Sequence, residues 1–137
     1  MKRSTVKTLL AFLIMLCSSL TANAEVLKLR STEYSYKYQY DSGYWSDWSA
    51  WESTSVLIVI NLSTERVTIY SELKQEYDIY NSSDTEYKSD GSEIITLSCV
   101  DADGIQCEMR IRKQSDGQVQ LYVDYADISW VYNVQFI

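Results

Sequence analysis

The residues most suited to contacting a ligand lie between positions 34 and 51 and are aromatic. Tyrosines alternate with polar residues, and three tryptophans follow at three-residue intervals in GYWSDWSAWE, residues 43–52. Aromatic faces stack on sugar rings and other apolar groups, and tyrosine hydroxyls form hydrogen bonds. We therefore predict a ligand-binding surface for a glycan or a small apolar or aromatic ligand, formed by Tyr34, Tyr36, Tyr38, Tyr40, Tyr44, Trp45, Trp48 and Trp51.

The same side chains could instead fill the hydrophobic core. A domain of this size needs buried apolar area, and this need favours an interior position for the tyrosines, with their hydroxyls pointing outward. The tryptophans pose a separate problem, because side chains of an extended strand repeat every two residues. On a flat strand Trp45 and Trp51 would share one side and Trp48 would lie on the other. We therefore expect at least one tryptophan to point away from the core.

Histidine is absent from the chain, and this excludes several kinds of active site. Neither Ser-His-Asp nor Cys-His catalysis is available, and metal sites with histidine ligands are excluded too. Nineteen acidic residues leave a paired-carboxylate mechanism formally open, but no pair is singled out by its position. Asp101, Asp103 and Glu108 lack the further acids and the flanking helices of a calcium-binding EF-hand. We predict no enzymatic activity, no metal and no cofactor.

The first residues have the three parts of a secretory signal. Lys2, Arg3 and Lys7 precede the apolar run 9–16, and Ala22-Asn23-Ala24 fits the small-x-small rule for cleavage. We predict a signal peptide at residues 1–24 and one domain, residues 25–137, that is periplasmic or secreted. A lipid anchor on Cys17 is the alternative, and the bulky Leu16 argues against it. Because no second apolar segment follows, we expect no membrane insertion of the mature chain.

The predicted mature chain is strongly acidic. Residues 1–24 contain three of the twelve basic residues and none of the nineteen acidic ones, so residues 25–137 carry a net charge of −10. Such a charge disfavours nucleic acid, whose binding needs clustered Lys and Arg. It favours at most a cationic partner. An acidic module that binds a protein, such as an inhibitor of a cationic enzyme, is therefore the alternative to a glycan-binding protein.

The fold can be predicted from two hairpin turns. In CVDADGIQC, residues 99–107, a three-residue loop ending at Gly104 sets Cys99 opposite Cys107, which predicts a disulfide. The same register pairs Leu97 with Met109. The second turn, Gln114 to Gln118, brings the apolar residues of the next segment to the same side.

Short alternating segments separated by turns occur along the rest of the mature chain. They predict an all-β domain, a single antiparallel meander of about eight strands that forms a small barrel or sandwich. The stretch from CVDADGIQC to QLYVDYADISWVYNV resembles small exported all-β proteins of unknown function from gut Bacteroidota. This resemblance implies export and no particular mechanism.

Two local resemblances concern the tryptophans. Residues 45–49, WSDWS, match the WSxWS motif of class I cytokine receptors, and the longer tryptophan spacing resembles thrombospondin type 1 repeats. The second resemblance would make Arg110 and Arg112 candidates for cation–π partners of the tryptophans. The early position of WSDWS and the presence of only two mature cysteines argue against both families. We interpret the match as coincidental.

Overall fold

The computed structural model describes residues 26–137, which form ten β-strands. The predicted signal peptide and the alternative anchor at Cys17 lie outside the described residues. The strands are β1 (Val26–Tyr38), β2 (Glu52–Ser53), β3 (Leu57–Asn61), β4 (Arg66–Tyr70), β5 (Gln75–Ser82), β6 (Glu86–Tyr87), β7 (Glu93–Asp101), β8 (Gln106–Lys113), β9 (Val119–Asp124) and β10 (Ile128–Phe136).

Eight of these strands form a closed antiparallel barrel. The strands β1, β3, β4, β5, β7, β8, β9 and β10 pair in this order, and β10 pairs back onto β1. The short strands β2 and β6 are added beside β1 and β7. The predicted antiparallel meander is confirmed, and of the two predicted architectures the barrel is the one formed.

Both predicted hairpin registers are confirmed. The Asp101 N–H donates to Ile105 O at 2.9 Å, and Gly104 has a φ of +81°. Cys99 lies opposite Cys107, and Leu97 lies opposite Met109. At the second turn Gln114 N–H donates to Gln118 O, and the pairing continues through Ile111 with Leu121 and Met109 with Val123.

The barrel interior is filled mainly by aliphatic side chains. Every barrel strand contributes inward residues, among them Leu29, Ile58, Ile69, Leu97 and Leu121. A barrel of eight strands is just wide enough for side chains to fill. In the described chain only two tyrosines, Tyr77 and Tyr132, are fully buried. The expectation that the tyrosines fill the core is therefore wrong for Tyr36, Tyr38 and Tyr40, which are exposed, whereas Tyr34 packs partly buried against the core.

A β-bulge in β1 sets the orientation of the tyrosines. Ser31 lies opposite Val134, but Glu33 lies opposite Asn133, so Thr32 is an additional residue in β1. Before the bulge Leu27 and Leu29 face the core, and beyond it Tyr34 and Tyr36 lie opposite Tyr132 and Trp130, which belong to the core side of β10. The tyrosines of β1 therefore follow the inward side of the sheet.

The predicted disulfide between Cys99 and Cys107 is not formed, and both cysteines are buried free thiols. The two residues are a directly opposed pair two positions from the hydrogen-bonded Asp101–Ile105 pair. Opposed residues of an antiparallel pair alternate between hydrogen-bonded and non-hydrogen-bonded pairs, so Cys99 and Cys107 also form a hydrogen-bonded pair. At such positions the Cβ atoms are about 5.5 Å apart, whereas a disulfide needs about 3.5–4.5 Å.

We expect the two thiols of the folded, reduced protein to react slowly with iodoacetamide at pH 8. Burial raises the pKa of Cys99 to about 12 and that of Cys107 to about 11, so very little thiolate is present to attack the reagent. Mass spectrometry would follow alkylation with and without urea, and urea should accelerate it at both cysteines. Equal rates in the two conditions would contradict the buried positions.

Candidate functional site

The chain between β1 and β3 folds back along the outside of β1. It begins with a tight turn in which Tyr40 N–H donates to Tyr44 O at 2.8 Å and Gly43 adopts a φ of +91°. A positive φ of this kind favours glycine. Tyr44 stands at the tip of this turn and is the most exposed of the predicted site residues.

Two serines attach this returning segment to β1. Ser46 N–H donates to Tyr38 O at 2.7 Å, and Ser46 Oγ accepts a hydrogen bond from Tyr38 N–H at 3.0 Å. Ser49 does the same with Tyr36, at 2.7 and 3.0 Å. Each serine therefore supplies both a donor and an acceptor to β1, as a partner strand would.

The serine contacts explain the three-residue spacing of the tryptophans. Ser49 lies three positions after Ser46, whereas their partners on β1, Tyr36 and Tyr38, are only two positions apart. The side-chain directions of the returning segment therefore repeat every three residues. Trp45 and Trp48 both contact the side chain of Lys37 and thus share one side. The expectation that Trp48 lies opposite Trp45 is wrong, because it assumed a flat strand with a two-residue repeat.

The tryptophan face consists of Trp45, Trp48 and Trp51 together with Lys37. The Lys37 Nζ lies 5.2 Å from the ring centroid of Trp45 and 4.9 Å from that of Trp48, within cation–π distance. The three indoles are 39%, 39% and 46% exposed. The three-residue repeat gives Trp51 the same phase as Trp45 and Trp48.

This face continues across the barrel to β9 and β8. Trp48 packs edge-on against Tyr122, with centroids 6.1 Å apart, and the guanidinium of Arg110 lies 4.1 Å above the Tyr122 ring. Arg110 is also bound to Asp124 through Nε and Nη2, at 2.6 and 3.2 Å. Although burial opposes its charged form, Asp124 raises the pKa of Arg110.

The tyrosine face lies on the opposite side of β1 and consists of Tyr36, Tyr38 and Tyr40. Tyr36 pairs with Trp130 and Tyr38 with Ile128 on β10, and Tyr40 packs edge-on against Tyr38 at 5.2 Å. These tyrosines are exposed because β3 pairs with β1 only as far as Arg30. Beyond that point β1 and β10 extend past the end of β3.

The predicted surface is thus divided between two faces of the aromatic ribbon, which comprises the end of β1 from Tyr36 onward and the segment that returns along it as far as Trp51. The structure brings Trp45 and Trp48 together on one face and Tyr36, Tyr38 and Tyr40 on the other. Tyr34 is half-buried against the core, and a side-chain hydrogen bond with Glu52 raises its pKa. Seven of the eight predicted residues are therefore accessible, but they do not form one patch.

Three residues that lie on the tryptophan face or beside it, Lys37, Tyr122 and Arg110, were not predicted as its neighbours. Lys37 was treated only as a polar residue between tyrosines, and Tyr122 was not singled out. Arg110 was considered a cation–π partner of the tryptophans only under the rejected thrombospondin resemblance; it lies on Tyr122, and the cation between the tryptophans is Lys37. Only the cross-strand register reveals these neighbours, because Lys37, Tyr122 and Arg110 belong to three different strands.

A cavity of about 400 Å³ is lined by two carboxylates. Glu108 and Asp124 are directly opposed across β8 and β9 and line it together with Cys107 and Tyr125. Asp124 is held by Arg110 and also accepts a hydrogen bond from Ser129 Oγ at 2.5 Å. These contacts make Asp124 the counter-ion of Arg110 rather than a free acid or base.

A hydrogen-bonded tyrosine, Tyr125, lies at the end of the hairpin formed by β7 and β8. The Tyr125 hydroxyl donates to Asp101 Oδ2 at 2.7 Å, and this bond lowers the pKa of Asp101. Burial and the same carboxylate raise the pKa of Tyr125. Tyr125 also stacks on Trp130, with centroids 5.7 Å apart. The arrangement holds the CVDADGIQC hairpin against the neighbouring strands.

Several acidic residues of the described chain are engaged in ion pairs. Six carboxylates form ion pairs that are distributed over β4 to β9 and their loops: Asp78, Glu76, Glu86, Asp124, Asp90 and Glu93. A protein-binding module that attracts a cationic partner would need clustered and unpaired acids. The distribution therefore gives the protein-inhibitor alternative no specific support.

Two further features are absent from residues 26–137. Within that range no group of three or more Cys, Asp or Glu side chains is arranged to hold a metal ion. The same residues include no helix of the length and apolarity that crossing a membrane requires.

Comparisons of the chain with protein-family models, with curated proteins and with solved structures gave no match. The resemblance to small exported β-proteins of gut Bacteroidota stays a prediction.

Proposed function

We propose that this protein is an exported, non-catalytic binding protein that recognises a glycan through its aromatic ribbon. The observation that carries the proposal is the exposure of the aromatic side chains. Around β1 and the segment that returns along it, seven rings are 39–77% exposed, although the core is complete without them. Clustered exposed aromatic residues are unusual on a monomeric protein and mark interaction sites.

The rings are also held in place before any ligand binds. The serine contacts fix the returning segment on β1, and Lys37 bridges Trp45 and Trp48. Rigid aromatic side chains lose little conformational entropy on binding. A glycan is the better ligand for such an open, ridged surface, because a small apolar molecule would need an enclosing cavity.

We expect the mature protein to bind one or more glycans on an array, and Trp48→Ala to weaken that binding at least tenfold. Trp48 is central to the tryptophan face, between Lys37 and Tyr122, and a central aromatic residue typically carries 2 kcal/mol or more of binding free energy. Titration calorimetry with the captured glycan would measure the change. Tyr38→Ala tests the opposite face in the same assay.

Tyr87→Ala is the matched control, because Tyr87 is well exposed on β6, which pairs with β7 and not with β1 or β10. It should bind as the unchanged protein does. Circular dichroism would establish that each variant retains the barrel. Absence of binding to every glycan on the array, or equal affinities of Trp48→Ala, Tyr38→Ala and Tyr87→Ala, would contradict the proposed function.

A further inference from the structure

We infer that the ligand of the tryptophan face is an acidic glycan, whose carboxylate or sulfate group pairs with Lys37. This inference rests on the proposed function and names the class of glycan. Its basis is the position of one uncompensated cation between two accessible indoles.

Lys37 differs from most other cations of the barrel. Within residues 26–137, six of the nine Lys and Arg residues form ion pairs: Arg66, Lys74, Lys88, Arg110, Arg112 and Lys113. In that same range Lys37 Nζ has no carboxylate oxygen within 4 Å and no hydrogen-bond acceptor. Its described contacts are the two indole rings.

A lysine in this position is suited to bind an anion. An ammonium group has three N–H donors, and cation–π contacts attract its charge without accepting hydrogen bonds in the way an oxygen does. A carboxylate or sulfate oxygen would supply the missing acceptor. The sugar ring that bears it would then lie beside Trp45 and Trp48, whose exposed surfaces flank the same ammonium group.

The net charge of −10 does not prevent such binding. At physiological ionic strength the Debye length is about 8 Å, so charges on the far side of the barrel are largely screened. Farther along this face Arg110 and Asp124 compensate each other, and the carboxylate of Asp47, which lies between the two tryptophans in the chain, acts on Tyr40. Lys37 is the cation that contacts both indoles, so an anion that binds between them would pair with its ammonium group.

Lys37→Met is the informative variant, because methionine retains an unbranched apolar side chain between the indoles and removes the charge. Lys28→Met is its matched control. Lys28 also lies on β1 and has no ion-pair partner among the described residues, but it is nine residues away and outside the tryptophan face. Lys37→Arg keeps the charge and should keep the binding.

The probes are two matched pairs of polymers, polygalacturonic acid with its methyl ester and dextran sulfate with dextran. We expect the protein to bind at least one charged polymer about tenfold more tightly than its uncharged counterpart, the effect of one charge-assisted contact. Lys37→Met should abolish this preference and reduce the dependence of the affinity on salt, whereas Lys28→Met should change neither.

The outcomes separate the inference from the proposed function. Equal affinity for charged and uncharged polymers, or an unchanged preference in Lys37→Met, would overturn the inference even if Trp48→Ala still abolishes binding. Binding of an array glycan that is neutral, with no binding of either charged polymer, would overturn it too. Failure to bind any glycan would overturn the proposed function and this inference together.

Discussion

Leu97→Ala should destabilise the protein by about 3 kcal/mol. Leu97 has no exposed surface and lies on β7 opposite Met109, in the middle of the aliphatic interior. Removing its isobutyl group loses transfer free energy and leaves a cavity that the surrounding strands can close only in part, which typically costs about 2–5 kcal/mol. Urea unfolding followed by circular dichroism would measure the loss as a lower midpoint at an unchanged slope.

Leu73→Ala provides the control for this prediction. Leu73 lies in the loop between β4 and β5 and is 83% exposed, so the same chemical change there should alter the free energy of unfolding by less than about 0.5 kcal/mol. If the two variants were equally stable, the filled barrel interior would be wrong. An unfolding slope that changes in Leu97→Ala would instead indicate a loss of two-state behaviour.

Asp124→Ala should lower the free energy of unfolding by about 2 kcal/mol, the second-largest effect on stability that we expect. Asp124 accepts three hydrogen bonds, two from Arg110 and one from Ser129. The side chains of Asp124 and Arg110 are only 27% and 37% exposed. Losing the carboxylate would leave a partly desolvated guanidinium without its counter-ion, and such unpaired polar groups cost more than the paired interaction contributes.

The pair between Asp78 and Arg66 offers a matched comparison. It also joins neighbouring strands, but its side chains are 59% and 48% exposed and the single contact is 3.1 Å long. Asp78→Ala should therefore cost less than about 1 kcal/mol, as exposed ion pairs usually do. Equal costs for the two variants in the same urea titration would show that burial of Arg110 contributes nothing to the effect of Asp124.

The parts of the fold that could be predicted depend on local sequence. Two loops that end in glycine set the registers of β7 with β8 and of β8 with β9, and the alternating apolar residues agreed with both. A one-residue slip would have exposed every inward side chain, and this makes such registers predictable. The cysteines were placed correctly opposite each other for the same reason.

The errors arose where a second element decided the outcome. Whether Cys99 and Cys107 can form a disulfide depends on whether they are a hydrogen-bonded or a non-hydrogen-bonded pair. The prediction considered only that the two cysteines lie opposite each other. The tyrosines were predicted in the core because a small domain needs buried apolar area, and the aliphatic side chains of the barrel strands supply most of it. Apolar residues change from odd to even positions between Leu29 and Tyr34, and this change in the sequence indicates the bulge at Thr32.

By itself the sequence determined the class of the fold, the course of its hairpins and the exclusion of histidine chemistry, because turns and alternation act over a few residues. Only the tertiary structure decided which aromatic rings are exposed. Tyr36 and Tyr38 are exposed because β1 and β10 continue to pair beyond the point where β3 ends. The serine contacts with β1 place Trp45 and Trp48 on either side of Lys37. These contacts join residues of separate segments, and no local pattern contains them.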